Sequence, residues 1–187
     1  METKLHDYQI KAIESIYNFF YTGANKGKMH LATGMGVGIV LALYVDKILQ
    51  SKPDASILFL SALQIQHEQA KSVFAKYAPQ VSVNSKLKVS AGITFAKYED
   101  VISEKIGAKL SAFDLVICND AHSVDKNYYG ALPACEQAKY LAVLQANIAL
   151  KGFFSDATFI YKYTISDALN EGHAFNWTCY MHMDLQT

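Results

Sequence analysis

The chain has 187 residues, 51% hydrophobic and 18% charged, which is enough to bury one good core and too little for two ordinary ones. Its 17 Lys and Arg balance 17 Asp and Glu, so no global field holds it on DNA, RNA or anionic lipid, which argues against a free-standing nucleic-acid module. Cys118, Cys135 and Cys179 are too widely spaced for a disulfide framework or a zinc ribbon, the charged start has no apolar signal core, and no run reaches the roughly 18 to 20 apolar residues of a membrane span, so a soluble, cytoplasmic protein is expected.

In chain order, Ile10, Ile13, Ile16, Tyr17 and Phe20 recur at helical spacing and predict a helix over 8–21, closed by the glycine-containing turn at 23–27. Residues 29–32 read as a short buried strand, Thr33-Gly34-Met35-Gly36 as a glycine loop, and 37–49 as an apolar helix. After the Pro53-Asp54 turn, 57–60 is a continuous apolar run of the kind found in parallel strands buried on both faces, and 64–77 is the returning helix. A third strand is predicted at 93–95, a helical segment at 98–110, and the clearest strand at 113–118, ending at Asn119 and Asp120. A helix through 135–145, a strand at 148–153 and another around 159–163 complete the pattern. Such alternation means a parallel sheet covered by helices. Ligands of these sheets bind beyond the carboxyl ends of the strands, so the loops 33–36 and 119–122 are expected to face one another.

Six segments carry a resemblance through their order and spacing: LHDYQ at 5–9, LATGMGVG at 31–38, LFLSALQIQHEQA at 58–70, ITFAKY at 93–98, FDLVICNDAH at 113–122 and YKYTISDALNEG at 161–172. Together they resemble the first motor lobe of superfamily-two (DEAD/DEAH-like) helicases, most closely the motor subunit of type I restriction enzymes. LHDYQ is similar to the opening L-R-x-Y-Q element, whose glutamine, here Gln9, reads adenine. LATGMGVG is similar to the phosphate loop A-T-G-x-G-K-T, and FDLVICNDAH to the strand that ends in D-E-A-H. The resemblance implies a three-layer αβα sandwich with a mostly parallel sheet, a RecA-like P-loop NTPase lobe filling 1–187 with the second lobe absent.

The departures from that pattern carry the functional argument. A phosphate loop works because its glycines let backbone N–H groups approach phosphate at a helix N-terminus, while a lysine neutralises charge and a hydroxyl ligates magnesium. Thr33, Gly34 and Gly36 remain, but the family's lysine falls on Val37 and its Thr or Ser on Gly38, with only Lys26 or Lys28 near enough in sequence to substitute. The magnesium-associated aspartate falls on Asn119 and the water-activating glutamate on Asp120, while Ala121 and His122 match. Asp120 is one methylene short, and a general base must come within about 2.6 to 3.2 Å of its proton. The third motif, T-A-T or S-A-T, aligns with Phe154-Ser155-Asp156. Phosphoryl transfer is mostly positioning and charge stabilisation, so these losses remove the parts that do the chemistry.

Other readings stand beside these. The glycine loop reads equally well as a tight strand-to-helix turn, and Asn119, Asp120 and His122 as a strand-end cap. The pairs Lys26/Lys28 and Lys86/Lys88 read as solvated surface. The histidines lack metal-ligand spacing, so no metal is assigned; Cys118 reads as a buried inert thiol. Phe175, Trp177 and Tyr180 read as packing on the core or a partner rather than stacking on bases. The sequence therefore leads to a degenerate helicase or restriction-subunit-like lobe without ATP hydrolysis, acting as a structural, interaction or nucleotide/DNA-binding module. Its vestigial nucleotide site comprises Gln9, Thr33, Gly34 and Gly36, and its vestigial catalytic groups are Asp120 and His122. ATP or ADP is the ligand such a loop would take, with magnesium not held tightly. DNA through a larger complex and a protein partner or second motor lobe are the expected partners, and a membrane is not. The alternative is an active ATP-dependent DNA helicase or translocase fragment of a type I restriction enzyme, completed by a partner.

Overall fold

The computed structural model describes residues 5–84, 89–103, 112–123, 138–146 and 149–174. Helix α1 (Asp7–Tyr21) starts at His6, whose backbone N–H donates to Gln9 Oε1 at 3.1 Å, and buries Tyr8, Ala12, Ile13, Ile16 and Phe20 along one face. There follow β1 (Lys26–Leu31), α2 (Val37–Ser51), β2 (Ser56–Ser61), α3 (Gln64–Tyr77), β3 (Val83–Asn84), β4 (Gly92–Lys97), α4 (Tyr98–Ser103), β5 (Leu115–Cys118), β6 (Lys139–Leu144), β7 (Thr158–Tyr163) and α5 (Ile165–Asn170). The strands form one seven-stranded sheet in the order β3-β4-β2-β5-β6-β1-β7, and every pairing is parallel.

Side-chain alternation divides the core into two layers, as the period of two along a strand requires. Ile57 and Phe59 of β2, Leu115 and Ile117 of β5, and Leu141 and Val143 of β6 face one cluster with α1, α2 and α3. Leu58, Leu60, Val116, Cys118, Ala142 and Leu144 face the other, with Tyr98 and Val101 of α4. A three-layer αβα sandwich results, the RecA-like arrangement the resemblance implied. Burial pushes the Cys118 thiol up to about 12, consistent with an inert core residue.

Two expected elements are wrong. The helix placed at 135–145 is instead the strand β6 over Lys139–Leu144, with residues 135–137 outside the described set. Its sequence, KYLAVL, is rich in good helix formers, and a short apolar run does not announce its period. Pairing with β5 and β1 at once decides the matter, since each side of the strand gains a full ladder. The strand expected at 148–153 is also absent over its described part, where Gly152–Phe154 forms a single 3-10 turn. The two-residue β3 and the short helix α5, capped by Thr164 through Asp167, were not foreseen. The aromatic residues Phe175, Trp177 and Tyr180 lie outside the described residues, as do Cys135, Cys179, Lys86 and Lys88.

Phe59, Phe74 and Phe95 meet edge-on or tilted, with ring centroids 5.2 to 5.9 Å apart, between β2, β4 and α3. Phe59 is 2% exposed. Phe59→Ala should lower the unfolding free energy by about 3 to 5 kcal/mol, measured by urea denaturation; a loss under about 1 kcal/mol would mean that the site collapses around the gap.

Candidate functional site

Because β5, β6 and β1 are adjacent and parallel, the loops after all three open at the same end of the sheet. The loop after β1 turns on two glycines with left-handed backbone, Gly34 at φ +86° and Gly36 at φ +77°, and Gly36 caps α2. Gly36 has a steric reason as well: a Cβ there would lie 2.5 Å from Gln9 Nε2. Gln9 is 5% exposed and spans the gap between α1 and the loop, its Nε2 donating to the Met35 carbonyl at 3.3 Å while its Oε1 accepts from His6. Gln9 thus holds the glycine loop against α1. Gly34 has open space around it.

The loop after β5 places Asn119 and Asp120, 8% and 6% exposed, at the strand end. Asp120 adopts φ +49°, a left-handed conformation that aspartate tolerates better than most residues. Its Oδ2 accepts from Gln66 Nε2 at 2.6 Å, and its Oδ1 from Gln145 Nε2 at 2.8 Å. Gln66 is anchored in turn by the Leu63 N–H donating to its Oε1 at 3.2 Å, and the Asn119 carbonyl accepts from Tyr98 at 3.2 Å. Neutral amides therefore cradle a buried carboxylate.

Gln145 follows directly on β6 and joins the two loops, because its carbonyl also accepts from Thr33 Oγ1 at 3.4 Å. This relocates the third motif. Phe154-Ser155-Asp156, the residues expected to carry it, lie at the opposite end of the sheet, where Asp156 pairs with Lys26 at 2.6 Å. Gln145-Ala146 occupies the strand end between the phosphate-loop strand and the D-E-A-H-like strand, and retains the alanine of T-A-T. The misplacement follows from reading β6 as a helix.

Val37, Gly38, Gln66, Val73, Asp120 and Gln145 share the lining of a cavity of about 200 Å³. Val37 and Gly38, on which the resemblance puts the family's lysine and hydroxyl, thus share one lining with Asp120. They are also closely packed: Val37 is 7% exposed, and a Cβ on Gly38 would meet Val73 Cγ1 at 3.2 Å. Neither nearby lysine compensates, since Lys26 is engaged with Asp156 and the Lys28 ammonium lies 4.5 Å from the Phe159 ring centre. Gln9 is not a wall of this cavity. Thr33 lines a neighbouring one of about 450 Å³ with His30, Gln145 and Thr164. His122 sits in a 3-10 turn, Ala121–Ser123, with Nδ1 buried and without a hydrogen-bond partner. Among the described residues no cluster of His, Cys, Asp and Glu could hold a metal ion. No helix of the described residues is long and apolar enough to cross a membrane.

Gln66, Val73 and Gln145 were not singled out from the sequence. Gln66 had a signal, its place as the third residue of α3, where a long amide returns to the helix cap. Gln145 had none once β6 was misread.

The parallel sheet and its paired glycine and acidic loops define the first lobe of a superfamily-two helicase. The chain belongs to the family described as the res subunit of type III restriction enzymes, whose profile matches residues 2–151. Among solved structures it is similar to a nuclease-deletion mutant of the Type ISP restriction-modification enzyme LlaGI in complex with a DNA substrate mimic, with 15% identity and a TM-score of 0.72, covering 94% of this chain and 21% of that one. It is also similar to the SWI2/SNF2 ATPase core of Sulfolobus solfataricus in complex with dsDNA (16% identity, TM-score 0.64, 81% and 34% covered). The UvsW helicase of bacteriophage T4 gives 13% identity and a TM-score of 0.67, with 86% and 61% covered. At these identities the likeness is one of fold, and the chain spans about a fifth of LlaGI. No curated protein sequence matches it.

His30 and His67 are 4% and 8% exposed, each with Nδ1 lacking a partner. Burial holds both below the ordinary 6.5, helped by Lys162 and His122 at His30 and by Lys71 at His67. With folded values below unfolded ones, the unfolded chain binds protons first, so stability is intact above about pH 6.5 and lost as pH falls below it. The melting temperature should decline from pH 6.5 to 5, and less steeply in a His30→Leu/His67→Leu double variant. An unchanged slope would put the acid sensitivity elsewhere.

Proposed function

We propose that this lobe does not hydrolyse ATP, and that it serves as a structural, interaction or nucleotide/DNA-binding module of a larger restriction or DNA-processing assembly. The observation that carries the reading is the cavity at the loops. Where the family places a lysine and a metal-binding hydroxyl there are Val37 and Gly38, and the carboxylate opposite them accepts hydrogen bonds from Gln66 and Gln145. An amide donor satisfies a carboxylate without a cation, so Asp120 is neither aimed at a metal nor poised to draw a proton from water. Asn119 cannot supply the charge that magnesium favours. A nucleotide phosphate could still meet the N–H groups of the loop at Gly34 and Gly36, which need no side chain.

The same reading takes residues 1–187 as one RecA-like lobe whose second motor lobe, or a protein partner in its place, lies elsewhere in the assembly. DNA contact through that assembly is supported by the relatives, of which LlaGI is described in complex with a DNA substrate mimic and the SWI2/SNF2 core with dsDNA. Family membership also favours a second reading, an ATP-driven translocase fragment whose chemistry a partner completes. That reading requires magnesium-dependent phosphate release once the partner is added.

The test is a thermal melt with millimolar ATP or ADP, each with magnesium and with EDTA, alongside a phosphate-release assay. A ligand at about 100 times its dissociation constant adds roughly 2.7 kcal/mol, a shift of several degrees at this size. The wild type should release no phosphate, and any shift should be indifferent to magnesium. Val37→Lys/Gly38→Thr combined with Val73→Ala, which clears the 3.2 Å contact, should enlarge the shift and make it magnesium-dependent. Magnesium-dependent turnover by the wild-type chain would overturn the proposal.

A further inference from the structure

Strand β7 stands last in the sheet, and among the described residues only β1 pairs with it, so its outer edge carries backbone N–H and C=O groups with no strand beside them. It is also the least covered of the six-residue strands: Thr158, Phe159 and Lys162 are exposed, Phe159 at 50%. A long edge strand with exposed apolar side chains is a template for further pairing, and native proteins cover such edges. Phe19 of α1 and Ile160 and Tyr161 of β7 are likewise only partly buried at the margin of the core cluster. We propose that residues 175–183 form an added edge strand, paired antiparallel with β7 and turning one apolar row of side chains onto the α1 side of the sheet.

The segment has the sequence period of a strand. Phe175, Trp177, Cys179, Met181 and Met183 alternate with Asn176, Thr178, Tyr180 and His182, and no glycine or proline interrupts them. Such alternation marks a strand with one face buried, and aromatic and β-branched residues favour the pleated form. The direction follows from where the chain leaves α5. Tyr163, the last residue of β7, donates through its hydroxyl to Glu171 Oε2 at 2.9 Å, and the same hydroxyl lies 2.8 Å from His173 Nδ1. The Ala174 N–H donates to the Ala168 carbonyl at 3.1 Å, and Ala174 packs on the cluster under α1. Residue 175 therefore starts beside the carboxyl end of β7, and running back along the edge gives an antiparallel pair, whereas a parallel one would first need a crossover of about a dozen residues. Length agrees as well: at roughly 3.3 Å per residue, β7 spans about 20 Å and residues 175–183 about 30 Å, which covers the edge and leaves residues for the turn. With Ala174 on the α1 side, the odd-numbered row meets Phe19, Ile160 and Tyr161, and the even-numbered row shares the other face with Lys28, Phe159 and Lys162. Tethering this close to the edge gives the segment an effective concentration that a strand from another chain lacks.

Trp177 is the chain's single tryptophan, so its fluorescence reports on the segment alone. In the full chain its emission should lie to the blue of that in the urea-unfolded chain, and acrylamide should quench it several-fold less. Nuclear Overhauser contacts between α-protons of residues 175–183 and 158–163 should give the antiparallel register, and in a mixture of separately 15N- and 13C-labelled chains they should stay within one chain. Cys179→Lys, in the apolar row, should restore quenching of Trp177 and lower the melting temperature, while Thr178→Lys, in the other row, should do neither. Quenching of Trp177 as ready in native buffer as in urea, contacts between differently labelled chains, contacts to an element other than β7, or equal effects of the two lysine variants would each overturn the proposal. None of these outcomes depends on whether the glycine loop binds a nucleotide.

Discussion

A parallel strand with both faces covered must find hydrogen-bonding neighbours along both edges, because no water reaches its N–H and C=O groups. Strand β6 meets that demand in the interior of the sheet, pairing with β5 on one side and β1 on the other. Its insertion spaces the glycine loop and the acidic loop one strand apart, and the residue that follows it, Gln145, is the only one among the described residues that hydrogen-bonds to both Thr33 and Asp120. The separation and relative orientation of the two loops therefore rest on six residues, KYLAVL, that have no glycine, no charge after Lys139 and no motif of their own.

That dependence explains which parts of the molecule could be read in advance. The helix at Gln64–Tyr77 and the strands at Ser56–Ser61 and Leu115–Cys118 are marked locally, by apolar runs ended by turn residues or polar strand ends. The two loops are marked by Gly34, Gly36 and Asp120, whose positive φ angles put unusual demands on residue type. β6 is marked by nothing local; its state is decided by two neighbours that are distant in sequence, and tertiary context overrides its propensity. The third motif depends on the same strand, and Phe154-Ser155-Asp156, which the sequence suggests for it, lie at the opposite end of the sheet from the two loops. The glycine and acidic loops were legible as chemistry, whereas the amides that occupy Asp120 were not, since a glutamine's partner is a matter of three-dimensional placement.

The electrostatics of the loop end are the ground on which the proposed loss of phosphoryl transfer rests. A site that stabilises a migrating phosphoryl group needs fixed positive charge and a metal, with carboxylates left available to both. Here the carboxylate at the centre, Asp120, accepts from two glutamine side chains, and the residue beside it is an amide. Gln66 and Gln145 come from opposite directions, α3 and the end of β6, so they fix the carboxylate plane as well as satisfying it. Such a cradle makes the strand end rigid.

Packing points the same way as charge. Gly38 stands against Val73, and Val37 belongs to the cluster beneath α1, α2 and α3. A lysine at 37 would therefore have to leave that apolar layer and extend its ammonium toward Asp120, and a β-branched residue at 38 would press on α3. The two differences from the family pattern are thus supported by their surroundings, because α2 and α3 approach one another across a residue with no side chain. A cation and a hydroxyl placed here without relief at Val73 would strain the same helix contact that seats the glycine loop. Close packing of α2 on α3 thus sets the space at Gly38, and on the proposed reading it is this packing that a cation and a hydroxyl at the loop would have to displace.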